Sequence, residues 1–192
     1  EQKLLNDENS NYLFELSSEH FDRGKEVLRK IGLPKDAWYI TLHVREPSYR
    51  GENLKTTTEK FRNADINDYL AAVKEITDRG GWVFRMGDPA IKPLKNMLQV
   101  IDYAHSPYKS EWMDLFLGGT CKFCIGTASG YFRVTRYFGK PVIFTNSAHS
   151  LPYYSLRSND LYLPRLLKRT KYKEFIPFKE LMSPPFSIGF DH

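Results

Sequence analysis

Residues 122–146, KFCIGTASGYFRVTRYFGKPVIFTN, decide the fold. They read as a short apolar strand (123–125), a small-residue turn (Gly126-Thr127-Ala128-Ser129-Gly130), a helix, and a second apolar strand (142–144). A helix that opens on Gly and Ser leaves backbone N–H groups unpaired at its first turn, with the positive end of its dipole behind them. Such a turn suits phosphate, and we read it as the seat of a nucleotide diphosphate. Gly139 stands where a helix C-cap is expected and Pro141 follows it, so the helix stop is well marked.

The same alternation extends outward from this βαβ unit. Upstream, a helix over 18–31 stops at Gly32, with Phe21, Leu28 and Ile31 on one face. A strand over 37–44 follows, then a loop over 47–64, long enough to expect a functional or mobile role. In the helix expected over 65–79, Ile66, Tyr69, Leu70, Val73 and Ile76 keep the i, i+3, i+4, i+7 pattern. The spacing predicts strands over 82–84 and 100–104, a short helix over 91–98, and a helix over 109–117 with Trp112, Leu115 and Phe116 inward. Beyond residue 150 the pattern weakens, leaving a strand over 161–163 and a short helix over 178–182. We divide the chain into an N-terminal arm (1–16), one Rossmann-like nucleotide-binding domain (17–182) and an irregular tail (183–192). Five short apolar strands alternating with helices imply an α/β fold: a Rossmann-like, doubly wound, mostly parallel sheet with helices on both faces.

Sheets of this kind bind ligands beyond the carboxyl ends of their strands. Each strand here ends in polar residues: His43-Val44-Arg45-Glu46, Arg85-Met86-Gly87-Asp88, His105-Ser106, the Gly126–Gly130 turn, and Thr145-Asn146-Ser147-Ala148-His149. His43 and Arg45, two apart, face one side of a strand. Arg45 offers a fork of donors matched to phosphate oxygens, or else pairs with Glu46, Asp88 or another acid. His43 orients phosphate or moves a proton, or is a structural histidine. Arg85 is a candidate for phosphate or ribose, beside Gly87, whose missing side chain lets backbone approach a ligand. Asp88 accepts from a sugar or ribose hydroxyl, or pairs Arg85. Gly126, Thr127, Ala128, Ser129 and Gly130 are candidates for phosphate or ribose, alongside ordinary N-capping by Ser or Thr. Asn146 and His149 are candidates for the same cleft.

Composition sets the outer bounds. With 41% apolar and 15% aromatic residues the chain is globular, and its net charge of +5 mildly favours an anionic partner. Its apolar runs fall short of the ~20 residues of a membrane span, and no leader opens it, so a cytoplasmic protein with at most peripheral membrane contact is expected. Cys121 and Cys124 have CxxC spacing but precede an apolar strand, and there is no second pair. We read both as buried structural thiols and expect no metal site. The basic run Arg165, Lys168, Arg169, Lys171 and Lys173 is a solvated face or a contact for lipid or nucleic acid. HExxH, Walker A, GxSxG and GxGxxG are all absent, which argues against zincins, P-loop NTPases, α/β-hydrolases and ordinary dinucleotide oxidoreductases.

The strand–GTASG–helix–FGKPVIFTN unit resembles the donor-binding half of GT-B glycosyltransferases. Leu42-His43-Val44-Arg45 is similar to the His-x-Arg motif of fucosyltransferase-type GT-B enzymes. The ordered set HVRE, RNADINDYLAAVKEITDRGGWVFRMGD and CIGTASGYFRVTRYFGKPVIFTN looks like a group of bacterial glycosyltransferases of surface-polysaccharide synthesis. The resemblance implies a nucleotide-activated sugar as substrate, no resident cofactor or metal, and a glycan or lipid-linked acceptor. It also implies a second Rossmann-like domain or subunit, because this chain has room for one. In that reading Arg45, Arg85 and the helix amides after Thr127 hold the leaving diphosphate, and Glu46, His43 or Asp88 is the base. Two other classes remain open: a nucleotide-sugar epimerase of the non-hydrolysing kind, and a non-catalytic nucleotide- or anion-binding module. Nucleic acid is the less favoured partner, since the aromatic residues mostly follow core spacing.

Overall fold

The computed structural model describes residues 13–47, 63–147, 156–169, 171, 173–181 and 183–184. Among these, six strands form one sheet: β1 (Tyr39–His43), β2 (Trp82–Met86), β3 (Val100–Ile101), β4 (Cys124–Gly126), β5 (Val142–Ser147) and β6 (Leu161–Pro164). Their spatial order is β3-β2-β1-β4-β5-β6 and every pairing is parallel. This is the Rossmann-like, doubly wound sheet that the alternation predicts, and the order reverses between β1 and β4.

Strand periodicity divides the core between the two faces. Tyr39 and Phe84 point to one side and join Tyr103, Met113, Phe116 and Leu117. That side carries α1 (Ser18–Ile31), α3 (Glu111–Thr120) and α4 (Gly130–Tyr137). Ile40, Leu42, Val44 and Val83 point to the other side and pack on Ile66, Tyr69, Val73 and Ile76. Those four residues lie on a 3-10 turn (Ile66–Tyr69) and on α2 (Leu70–Asp78). A short α5 (Phe178–Leu181) is the last described element.

The helix stops behave as the sequence indicates. α1 is capped by Ser17, whose hydroxyl accepts from His20 N–H, and ends at left-handed Gly32. After α4, Gly139 is left-handed at φ 75°, and its N–H and that of Lys140 bond the carbonyls of Arg136 and Thr135. That arrangement turns the chain directly into β5.

Several expectations need correction. Residues 91–98 form no helix. Pro93 lacks an N–H and disfavours a helical Lys92, while the Ala90 and Leu94 N–H groups donate to the side chains of Asp88 and Asp102. The strand expected over 100–104 is only Val100–Ile101, because Tyr103–His105 coils into a 3-10 turn. Helix α3 starts at Glu111, with Ser110 accepting from Met113 N–H, and its buried stripe is Met113, Phe116 and Leu117. Leu115 is therefore 43% exposed rather than inward. Cys121 caps α3 and only Cys124 lies in a strand; both thiols are buried and free, and burial pushes Cys121 up to about 12 and Cys124 to about 11. His149, Met182 and nearly all of the 47–64 loop lie outside the described residues. Among those described, no helix is long and apolar enough to cross a membrane, and no His/Cys/Asp/Glu cluster is arranged to hold a metal.

Candidate functional site

A cleft of about 790 Å³ opens at the carboxyl edge of the sheet, over the reversal between β1 and β4. It brings together seven of the residues singled out from sequence: His43, Arg45, Glu46, Gly87, Asp88, Ser129 and Gly130. Strand alternation explains the first two, which leave β1 on the side of α3 and α4.

One wall is the N-terminus of α4. Ser129 occupies the N-cap position in extended conformation, yet its side chain makes no capping bond. Its Oγ is buried and has no hydrogen-bond partner among the described residues. A Cβ added at Gly130 would meet nothing within 4 Å, so the glycine leaves open space over the helix end. Arg45 lines the same region, and its backbone is fixed from below: Arg45 N–H donates to Thr127 Oγ1 at 2.9 Å, and Thr127 N–H donates to the His43 carbonyl at 3.1 Å. Thr127 is thus a fully buried clamp between the ends of β1 and β4.

His43 stacks on Tyr131 with ring centroids 5.5 Å apart and planes 19° from parallel. Its Nδ1 is buried without a partner among the described residues. Burial pushes the imidazole down to about 4, and the nearby Lys109 and Arg85 cations act in the same direction. His43 is therefore neutral at physiological pH, with a ring nitrogen able to accept a proton or a hydrogen bond. Burial also holds the Tyr131 phenol well above its usual value, so it stays neutral.

The facing wall holds Gly87, Asp88 and Ile91 and three polar residues of the α3 region. At Gly87 the space that a Cβ would need is taken by Ile91 Cδ1, 2.4 Å away; this glycine serves packing of its own loop. Asp88 does not pair Arg85: its Oδ1 accepts the Ala90 N–H at 2.8 Å. Lys109, Glu111, Asp114 and Tyr131 also line the cleft, and the sequence reading passed over them. Lys109 donates to Asp114 Oδ2, while Asp114 Oδ1 is buried with no partner among the described residues. Their signal was faint: Glu111 and Asp114 in a first helical turn read equally as partners of the helix dipole.

Five further candidates lie outside the lining of the cleft: Arg85, Gly126, Thr127, Ala128 and Asn146. Arg85 is 1% exposed and its guanidinium donates to Glu46 Oε2 and Asp102 Oδ1. Register places it beside Leu42, on the α2 side of the sheet, where Val44 and Glu46 also fall. Asp102 in turn accepts from Leu94 N–H and bonds His105 Nδ1. Burial alone would raise the Asp102 carboxyl, but the bonds from Leu94, Arg85 and His105 outweigh it and hold it below its usual value. Asn146, left-handed at φ 56°, donates through Nδ2 to the Asn63 carbonyl.

The assembled cleft offers uncapped helix amides, an arginine, a buried hydroxyl and a neutral histidine on one wall, and carboxylates on the other. That combination suits a ligand with an anionic end and a hydroxyl-rich end. No protein-family model and no curated protein matches this chain. Solved structures do. A glycosyl transferase of family 9 from Veillonella parvula DSM 2008 superposes with a TM-score of 0.55 at 12% identity, over 79% of this chain and 41% of that one. The ADP-heptose LPS heptosyltransferase II of E. coli superposes with a TM-score of 0.52 at 11% identity, over 89% of this chain and 49% of that one. This chain thus spans less than half the length of either neighbour. Its Rossmann-like fold is one that glycosyltransferases use.

Proposed function

We propose that this chain binds a nucleotide-diphosphate sugar in the cleft and forms the donor-binding part of a GT-B-type glycosyltransferase of surface-polysaccharide or glycan synthesis. The observation that carries this reading is the N-terminus of α4, where Ser129 makes no side-chain cap, its Oγ is buried without a partner among the described residues, and Gly130 leaves space above the first-turn amides. Phosphate oxygens satisfy those amides and the hydroxyl together, with the Arg45 fork completing the set. As the bond from sugar to diphosphate breaks, negative charge grows on the leaving group, and fixed cations and amides stabilise it where other enzymes use a metal ion. Glu46 is bonded to Arg85, so we assign proton acceptance from the acceptor hydroxyl to His43 or Asp88. A second Rossmann-like domain or subunit would supply the acceptor side, in keeping with the longer neighbours.

The test is a thermal-shift panel of UDP, GDP, ADP, TDP and CMP on the wild type and Arg45→Ala. A nucleotide at about 100 times its Kd stabilises by about 2.7 kcal/mol. For a chain of this length that raises Tm by roughly 5–10 °C. One nucleotide is expected to stand out and to lose its effect in Arg45→Ala. No shift with any of them overturns the proposal.

A further inference from the structure

We infer that the hairpin after β6, together with the outer edge of that strand, docks on an anionic lipid surface. Residues 165–180 carry six Lys and Arg against two Glu, so most of the chain's net +5 is concentrated in this one segment. The segment folds back on itself: Lys168 bridges Phe175 in antiparallel fashion, Ile176 N–H donates to the Leu167 carbonyl, and Arg169 N–H to the Glu174 carbonyl, each at 2.8 Å. Lys173 turns the chain at φ 56°.

Exposed apolar side chains fall in the same stretch of chain. Of the ten large hydrophobic residues exposed among those described, five lie here: Leu161, Leu163, Leu166, Phe175 and Phe178. Leu166 is 72% exposed and Phe175 and Phe178 are each more than half exposed. Isolated exposed apolar groups are ordinary, but a run of them rimmed by cations marks an interaction surface. The Lys168 ammonium lies 4.5 Å from the Phe175 ring centroid, so cation and aromatic are presented as one unit. Apolar insertion plus attraction to acidic headgroups is how peripheral proteins hold a bilayer. Nucleic acid is the weaker fit, because aliphatic side chains give bases no stacking platform. The surface adjoins β6, the edge strand beyond β5, and contributes no residue to the lining of the cleft, so its role is independent of what the cleft binds.

The test is co-sedimentation of the chain with vesicles of phosphatidylcholine plus phosphatidylglycerol, against phosphatidylcholine alone, at two salt concentrations. Binding is expected only to the anionic vesicles and is expected to fall with salt. Leu166→Ser with Phe175→Ser should abolish it, and each of Lys168→Glu and Lys179→Glu should weaken it at least about fivefold. All these side chains are exposed, so the unfolding midpoint should not move, which separates lost docking from lost folding. No binding to anionic vesicles, or equal binding by the apolar double variant, overturns the inference. So does dimerisation of the wild type that the same double variant abolishes, or salt-dependent binding to nucleic acid with none to vesicles.

Discussion

Arg45 and Arg85 stand at the ends of neighbouring parallel strands, each after an apolar run, and the sequence gives them the same candidate role. The fold gives them opposite surroundings. Arg45 lies two residues past His43, on the side of α4, and lines the cleft. Arg85 lies inside β2, opposite Leu42, on the side of α2, and is enclosed by Glu46 and Asp102. Residue type is identical, so the difference comes from parity along the strand and from depth, Arg85 lying level with Leu42 and Arg45 three residues farther toward the sheet edge. The Arg45 side chain lines a cleft that a ligand can enter; the Arg85 guanidinium, neutralising Glu46 and Asp102, fastens the ends of β1 and β2 to the turn at Tyr103–His105.

The contrast predicts that Arg85→Ala has the largest effect on stability. Removing the guanidinium leaves Glu46 and Asp102 without their shared counter-charge in a nearly dry setting, a change that costs about 3–5 kcal/mol. The midpoint of urea unfolding should fall accordingly, whereas the half-buried Arg45, replaced by alanine, should move it less and should act on nucleotide binding. Equal midpoints for the two variants would break the distinction between them.

How much of this was legible beforehand follows the same physics. The 122–146 unit came out nearly as read, because a small-residue turn, a capped helix and a β-branched strand all signal locally. The shared face of His43 and Arg45 was legible from their spacing. The burial of Arg85 was not, since it depends on which strand lies alongside and at what register, and Asp102 is 17 residues away in sequence. The false helix over 91–98 had the apolar spacing but surrendered its backbone donors to Asp88 and Asp102, and a side chain's choice of backbone partner is a tertiary fact. Leu115 was misplaced through a one-residue error in helix phase, which turns a side chain by ~100° and here moves it from core to cleft.

A smaller effect separates His43 from the ionised groups below it. Its folded value, about 4, lies under the ordinary 6.5, so between those limits the unfolded chain binds a proton that the folded chain does not. Stability therefore rises with pH across that window, and His43→Gln should flatten the slope there. Asp102 has the usual carboxylate sign: its contribution is present above 3.8 and is lost as pH falls through the lower folded value. Asp102→Asn should flatten only the most acid limb. Imidazole signals followed by NMR can sharpen the comparison, because an anionic diphosphate bound beside His43 should raise its titration midpoint. A midpoint unmoved by a saturating nucleotide would place the anion elsewhere.

The smallest expected effect on stability, and the most diagnostic for the cleft, is at Ser129. Its hydroxyl caps nothing and has no partner among the described residues, so the folded chain bears the cost of a buried, unsatisfied polar atom. Ser129→Ala removes that atom with no bond to lose, and the unfolding midpoint should stay level or rise slightly. An ordinary N-cap serine replaced by alanine would instead lose about 1 kcal/mol. If the hydroxyl is reserved for phosphate, the same variant should bind the preferred nucleotide several-fold more weakly. The two readouts then move independently, as they should for a group shaped by its ligand. A falling midpoint with unchanged nucleotide affinity would return Ser129 to the role of a helix cap and remove the main support for a phosphate at α4.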